Sequence, residues 1–145
     1  MEKIENIHLL WDVFGYFPSF HDAEVLQVVL NRGSTKVLPT LEAQIHVFEM
    51  TSEVKDGSYV LTHHTLVTFQ FLEIDGLTLS GFNHHNVLAG LFIKDISDHQ
   101  LEWLKYEVKF DGIHGLDCRF RCRSIKIVGV EPNANGFSTT VVPQS

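Results

Sequence analysis

Short segments in which apolar and polar residues alternate run through most of this 145-residue chain and limit how it can fold. Apolar residues occupy every second position in residues 41–47, 67–71, 106–110 and 118–122. Alternation with a period of two is typical of β-strands that bury one face. Between these segments, no helical pattern is long enough for the crossover that joins two parallel strands. We therefore expect the strands to pair antiparallel.

Turn signals mark the limits of the predicted strands. Glu24–Asn31 is an apolar run rich in β-branched residues and ends at a turn signal, and Asp56-Gly57 marks a turn after the second strand. Asp75-Gly76, between two alternating runs, is typical of a hairpin. The apolar parity shifts at Ser124, which we interpret as a bulge or register change. We therefore predict an α+β fold, mainly β, in which a curled or two-layer antiparallel sheet of about seven or eight strands carries an N-terminal helix.

The N-terminal segment has a different period. Apolar residues at spacings of three and four predict an amphipathic helix over residues 3–14, with Trp11 on its apolar face. Gly15 lies where such a helix ends, and Pro18 prevents its simple continuation.

The length and the 44% hydrophobic content fit a single domain over residues 1–145, with residues 132–145 as a loose C-terminal tail. The first residues lack the features of a signal peptide, and the apolar runs are too short to span a membrane. We therefore expect a cytoplasmic protein without a membrane partner. Cys118 and Cys122 fall on the apolar side of one strand, too far apart for a disulfide, and are interpreted as core residues.

The charge distribution argues against a nucleic-acid partner. The formal net charge is −7, although residues 105–126 carry six basic and three acidic side chains. Arg119, Arg121 and Arg123 lie on one side of a predicted strand, without aromatic residues between them to stack on bases. We expect these arginines to pair with Glu107 or another carboxylate across the strands. An acidic body with one basic hairpin is compatible with a basic protein partner.

Nine histidines raise the question of a metal site. His63-His64 and His84-His85 are adjacent pairs, but neighbouring strand residues point to opposite faces, so each pair offers one ligand at most. The sequence has no His-x-His, Cys-x-x-Cys or His-Glu-x-x-His motif. We expect no metal and no cofactor. The alternative is a ligand- or metal-binding β-domain with a concave face ringed by His64, His84 and His85.

Catalytic motifs are missing from the sequence. It has no Gly-x-Ser-x-Gly elbow and no glycine-rich phosphate loop, and the cysteines have no evident activating partner. His21-Asp22 is a dipeptide also found in metal-dependent phosphohydrolases, but those sites need further ligands on an all-helical scaffold. We therefore predict that the protein is not an enzyme, and a hydrolase is the least supported alternative.

The most distinctive segment joins the helical pattern to the first strand and reads Phe-Gly-Tyr-Phe-Pro-Ser-Phe-His-Asp-Ala-Glu-Val from Phe14 to Val25. We interpret it as a corner in which Ser19 or Asp22 accepts backbone N–H bonds and His21 bridges to a neighbouring strand. The residues predicted to build this structural motif are Trp11, Phe17, Pro18, Phe20, His21 and Asp22.

This segment, together with Trp11, resembles the N-terminal signature of the immunity protein 50 family of bacterial polymorphic toxin systems. Gly81-Phe82-Asn83 and residues 113–125 resemble the β-strand region of the same family. The resemblance implies a small cytoplasmic antitoxin that binds and neutralises a cognate toxin domain, most commonly a nuclease, without catalysis.

The resemblance assigns no contacts with the toxin, so we looked for them among acidic and aromatic positions that we expect to be exposed. An acidic body would attract a basic toxin over a long range. The positions predicted to contact the partner are Glu42, His46, Phe48, Glu73 and Asp75.

Overall fold

Eight antiparallel strands and a short helix make up the computed structural model, which describes residues 3–132 apart from the side chains of residues 50, 51 and 58–61. The α-helix precedes the first strand, and a 3₁₀ turn (Ser97–His99) lies between the fifth and sixth strands. The elements are α1 (His8–Phe14), β1 (Glu24–Asn31), β2 (Thr40–Lys55), β3 (Ser58–Leu72), β4 (Asp75–Ser80), β5 (Leu88–Asp95), β6 (Tyr106–Gly112), β7 (Asp117–Cys122) and β8 (Ser124–Pro132).

The strands form two four-stranded sheets. The order is β1-β2-β3-β8 in the first sheet and β4-β7-β6-β5 in the second, and every pair of neighbours is antiparallel. This arrangement confirms the predicted mainly-β fold with an N-terminal helix. The strand predicted over Glu24–Asn31 has the predicted limits.

Two strands of the first sheet continue into the second sheet through a shared corner. β3 ends at Leu72 and β4 begins at Asp75, while β7 ends at Cys122 and β8 begins at Ser124. Because β3 pairs with β8 and β4 pairs with β7, these four strands form one antiparallel ribbon that bends from sheet to sheet. At the bend, the backbone N–H of Arg123 donates to the Leu72 carbonyl at 3.0 Å. We call this unit the bent ribbon.

The bent ribbon corrects two predictions. Asp75-Gly76 is not a hairpin turn, because Asp75 opens β4, which pairs with β7 rather than with β3. The parity shift at Ser124 is not a bulge within one strand. It marks the place where the chain leaves β7 of the second sheet and enters β8 of the first sheet. The turn at Asp56-Gly57 is confirmed, with φ values of 53° and 82° that suit a two-residue hairpin turn.

The core lies between the two sheets. Ile45 and Phe69 of the first sheet are fully buried, and the Phe71 ring contacts Phe120 of the second sheet edge-on at 5.0 Å between centroids. Full burial of each such side chain stabilises the fold by about 2 to 3 kcal/mol. Cys118 and Cys122 are buried free thiols, as predicted, and burial raises the pKa of each to about 12.

The helix is shorter than predicted because its first residues pair with a strand instead. Glu5 forms a parallel bridge with Lys126 of β8, and α1 begins only at His8. The Glu5 N–H donates to the Ile125 carbonyl at 2.9 Å, and the Glu5 carbonyl accepts from the Ile127 N–H at 2.9 Å instead of from Leu9 as it would in a helix. The end of the helix is as predicted, since Gly15 has a φ of 79° and caps the helix.

Most of the tail predicted over residues 132–145 lies outside the described residues, which end at Pro132. Within residues 3–132, no helix has the length and apolar character needed to cross a membrane.

Candidate partner-binding surfaces

The predicted corner between α1 and β1 is present, but some of its bonds differ from those expected. Ser19 Oγ accepts the backbone N–H of His21 at 3.2 Å, as predicted. The Asp22 N–H donates to the Leu88 carbonyl at 2.9 Å, and the Leu88 N–H donates to the Ala23 carbonyl at 2.8 Å. The backbone therefore ties the corner to β5. The His21 ring is exposed and lies 3.2 Å from the Asp22 carboxylate, so its predicted bridge to a neighbouring strand is wrong.

The aromatic side chains of the corner divide between core and surface. Phe20 is buried and its ring packs against Phe17 at 5.5 Å and against Phe69 at 5.6 Å, with Pro18 also buried. Phe20 adopts a φ of 63°, a strained conformation that costs about 1 to 3 kcal/mol and that this burial offsets. Trp11 is 48% exposed, so the prediction that it lies on the buried face of the helix is wrong.

The five residues predicted to contact a partner do not form one surface. Glu42, Glu73 and Asp75 lie towards the end of the first sheet where β2 begins and β3 ends, whereas His46 and Phe48 lie further along β2. Glu42, Phe48 and Glu73 are partly buried and Asp75 is exposed. The expectation that His46 is exposed is wrong, because its side chain is 0% exposed.

His46 is buried against His64 of the neighbouring strand. The two rings are parallel with centroids 5.2 Å apart, and His46 Nε2 lies 3.1 Å from His64 Nδ1. Phe48 contacts both rings, and the cross-strand neighbour Glu24 is also buried. Among the described residues, no group hydrogen-bonds to His46 Nδ1. Burial, and to a lesser extent the charge of His64, lowers the pKa of His46 to about 4.

The predicted pairing of the arginines with carboxylates across the strands is confirmed for Arg121, whereas Arg119 pairs with a carboxylate of its own strand. Arg119 Nε lies 3.4 Å from Asp117, and Arg121 lies 3.7 Å from Asp75. Glu107 is the cross-strand neighbour of Arg121, but the ion pair of Arg121 is with Asp75. These pairs are exposed and each stabilises the fold by about 1 kcal/mol at most.

A groove of about 450 Å³ opens where β1 ends and where β2 and β4 begin. Leu30 at its rim is half exposed, and the adjoining loop exposes Val37 and Leu38. Asp75, one of the predicted contact residues, lines the groove. We call this surface the groove end, and its lining residues are Leu30, Asn31, Arg32, Pro39, Thr40, Ile74, Asp75, Gly76 and Leu77.

At the other end of the first sheet, β2 and β3 extend past their neighbours as a two-stranded arm. β1 pairs with β2 as far as His46, and β8, whose last described residue is Pro132, pairs with β3 as far as Thr65. The β2–β3 pairing continues from Glu49 and Thr62 to the turn at Asp56-Gly57. The arm, residues 49–62, is the part of β2 and β3 beyond these pairings.

The end of α1 packs against the base of this arm. The Tyr16 hydroxyl donates to Glu49 Oε2 at 2.9 Å, and His63 Nδ1 lies 2.8 Å from Glu49 Oε1. The Phe14 ring contacts the rings of both Tyr16 and His63 edge-on. The bond from Tyr16, followed by the bond from His63, lowers the pKa of Glu49 and holds it ionised. We call Trp11, Tyr16, Glu49 and His63 the helix–arm face.

Sequence reasoning missed the helix–arm face because no local pattern links its members. Tyr16 follows a helix, whereas Glu49 and His63 lie on two different strands far along the chain. His63 has a φ of 55°, and the pairing of β2 with β3 is irregular between Val47 and Glu49. The sequence showed Trp11 and Tyr16 close together but predicted that Trp11 is buried.

The remaining histidines do not converge on one point. His64 contacts His46, whereas His85 stacks on His114 with ring centroids 4.1 Å apart. Within residues 3–132, no three or more His, Cys, Asp or Glu side chains are grouped so that they could hold a metal ion. The proposed ring of His64, His84 and His85 therefore has no geometric support.

Comparison with known proteins gives one family match that covers most of the chain. No curated protein and no solved structure matches the chain. The family model described as immunity protein 50 matches residues 6–133, which include the corner, both sheets and the arm. This match confirms the resemblance that the segment from Phe14 to Val25 indicates. The chain belongs to the immunity protein 50 family.

Proposed function

We propose that this protein binds a cognate toxin domain of a bacterial polymorphic toxin system in the cytoplasm and blocks it without catalysing a reaction. The observation that carries this proposal is the family match over residues 6–133. An immunity protein protects a cell from a toxin, and direct binding is the mode of protection that needs no catalytic group. The chain would act as one binding unit, with the two sheets holding its exposed surfaces in fixed positions.

Charge supports a nuclease as the toxin. The protein carries a formal net charge of −7. A nuclease must bind a polyanion, so its substrate-binding face is basic. An acidic inhibitor is attracted to such a face before contact, which raises the association rate and makes it sensitive to salt. Binding there would exclude the nucleic acid.

Two surfaces are available for this contact. The groove end offers a concave apolar site with exposed Leu30, Val37 and Leu38 around it. The helix–arm face offers exposed aromatic rings and an ionised carboxylate.

Co-expression tests the proposal. The toxin domain is taken from the C-terminus of the protein encoded directly upstream of the gene for this chain, and it is expressed in bacteria with or without the immunity protein. We expect growth arrest by the toxin domain alone and normal growth with both proteins. A catalytically inactive toxin domain controls for the burden of expression. Growth arrest in the presence of well-expressed immunity protein would contradict the proposal.

The nuclease assignment has a separate test. The purified toxin domain is incubated with DNA and with RNA, and degradation is followed on gels with increasing immunity protein. We expect cleavage to stop at a one-to-one ratio of the two proteins. A toxin domain that arrests growth but degrades neither nucleic acid would exclude the nuclease and leave the immunity function intact.

A further inference from the structure

The polar side chains of Tyr16, Glu49 and His63 are hydrogen-bonded to one another in the helix–arm face. The Tyr16 hydroxyl donates to Glu49, so its oxygen offers only lone pairs to other groups. Glu49 is ionised because its pKa is lowered, and an ionised carboxylate only accepts. His63 Nδ1, 2.8 Å from that carboxylate, must therefore be the donor of their bond. Towards a partner, Tyr16 and Glu49 therefore present oxygen acceptors only.

Aromatic surface accompanies these acceptors. Trp11 is 48% exposed and Tyr16 is 46% exposed, and only four residues lie between them. The N–H of Gly15 donates to the Trp11 carbonyl at 2.8 Å, which fixes the chain between the two aromatic residues. The faces of Trp and Tyr rings attract cations, and both residue types are enriched among the residues that dominate binding energy at interfaces.

We propose that the helix–arm face binds an arginine side chain of the toxin domain, which deepens the proposed function and rests on it. A guanidinium group has five donors and no acceptor, so it complements the oxygen acceptors of Tyr16 and Glu49. It is planar and less strongly hydrated than an ammonium group, so it stacks on aromatic rings better than lysine does. The ionised Glu49 supplies the opposite charge.

The groove end lacks these properties. Its exposed apolar side chains are Leu and Val, which are under-represented among the residues that dominate binding energy. Its carboxylate, Asp75, already lies 3.7 Å from Arg121, and Arg32 places a further positive charge in the lining. The groove end therefore offers a basic partner little electrostatic attraction, which makes it the matched control surface.

The test measures binding of the purified protein to the catalytically inactive toxin domain encoded upstream. Trp11→Ala is expected to weaken the dissociation constant about 30-fold or more, the effect of losing a dominant aromatic contact. Glu49→Gln is expected to weaken it at least about tenfold and to reduce its salt dependence. Val37→Ser, at the groove end, should change it less than about threefold. Circular dichroism and thermal melting establish that each variant is folded.

A double-mutant cycle identifies the partner group and keeps the test valid if Glu49→Gln loosens the arm. Each exposed arginine and lysine of the toxin domain is replaced by alanine and measured against both wild type and Glu49→Gln. Coupling of about tenfold with one arginine would support the inference, because a loosened arm would weaken all contacts alike. Coupling with a lysine alone, or with no basic residue, would overturn it.

The outcomes separate this inference from the function on which it rests. Tight binding by wild type that Val37→Ser weakens and Trp11→Ala does not would overturn the inference and retain the function. Failure of the folded wild-type protein to bind or neutralise the toxin domain would overturn both.

Discussion

Lowering the pH is expected to destabilise this protein through one buried imidazole, that of His46. Its side chain is 0% exposed, and its Nε2 lies 3.1 Å from His64 Nδ1. If Nε2–H donates to His64, a second proton would have to sit on Nδ1, which has no hydrogen-bond partner among residues 3–132. Phe48 contacts the rings of His46 and His64. On β1, the charged residue is Glu24, the cross-strand neighbour of His46, and it is also buried. Protonation would therefore bury an unpaired donor and a charge.

The size of the effect follows from the pKa difference between the two states. The pKa of His46 is about 4 in the folded protein and 6.5 in an unfolded chain. Between these values the unfolded chain binds a proton that the folded protein does not bind, so the free energy of unfolding falls as the pH falls. Stability is complete above about pH 6.5, and the loss at pH 5 is about 2 kcal/mol.

Urea unfolding at pH 8 and at pH 5 measures this loss. His46→Phe keeps an aromatic ring but removes the titrating group. From pH 8 to pH 5, the free energy of unfolding should therefore fall by about 2 kcal/mol more in wild type than in His46→Phe. Ile45→Val, in the core on the other side of the same strand, controls for general destabilisation and should lower both values by about 1 kcal/mol. Equal pH dependence in wild type and His46→Phe would refute the reasoning.

Three further predictions concern the backbone and the thiols. Asp22 has a φ of 68°, so Asp22→Ala should lower the free energy of unfolding in urea by about 1 kcal/mol while Asp22→Asn keeps it; equal values would show that the conformation is not the cause. Gly81→Ala should cost clearly more in melting temperature than Gly57→Ala, because both glycines have positive φ but only a Cβ at Gly81 would strike the Gly115 carbonyl; equal shifts would contradict the packing. The buried Cys118 thiol, with its pKa raised to about 12, should react with a thiol reagent at pH 8 only after denaturation, and rapid labelling of the native protein would show that this strand opens.

Local patterns predicted the elements whose structure depends on neighbours in sequence. The limits of β1, the turn at Asp56-Gly57 and the burial of Cys118 follow from alternation and turn chemistry alone. Asp75-Gly76 has the same turn chemistry but lies at a place where the chain changes sheets, so its strands have other partners. The identity of those partners depends on contacts with β7, which no local pattern contains.

The candidate surfaces were harder to predict because exposure depends on what lies on top of a residue. Trp11 fits the apolar spacing of a helix, yet the core covers Leu10 and Phe14 of this helix and leaves Trp11 half exposed. His46 occupies a polar position of an alternating strand, yet the rings of His64 and Phe48 and the start of β1 bury it. Both errors arise from contacts between segments that are far apart in sequence.

The bent ribbon has a consequence for how the protein folds during synthesis. It pairs β3 with β8 and β4 with β7. In the sequence, β5 and β6 lie between the two halves of the ribbon, β3–β4 and β7–β8. Closing so long a loop makes folding slow, since the entropy of closure is lost before the contacts form. Until β8 leaves the ribosome, β3 keeps an open edge and Phe69 and Phe71 have only part of their covering. The first sheet is therefore completed only once β8, the last strand of the described residues, has left the ribosome.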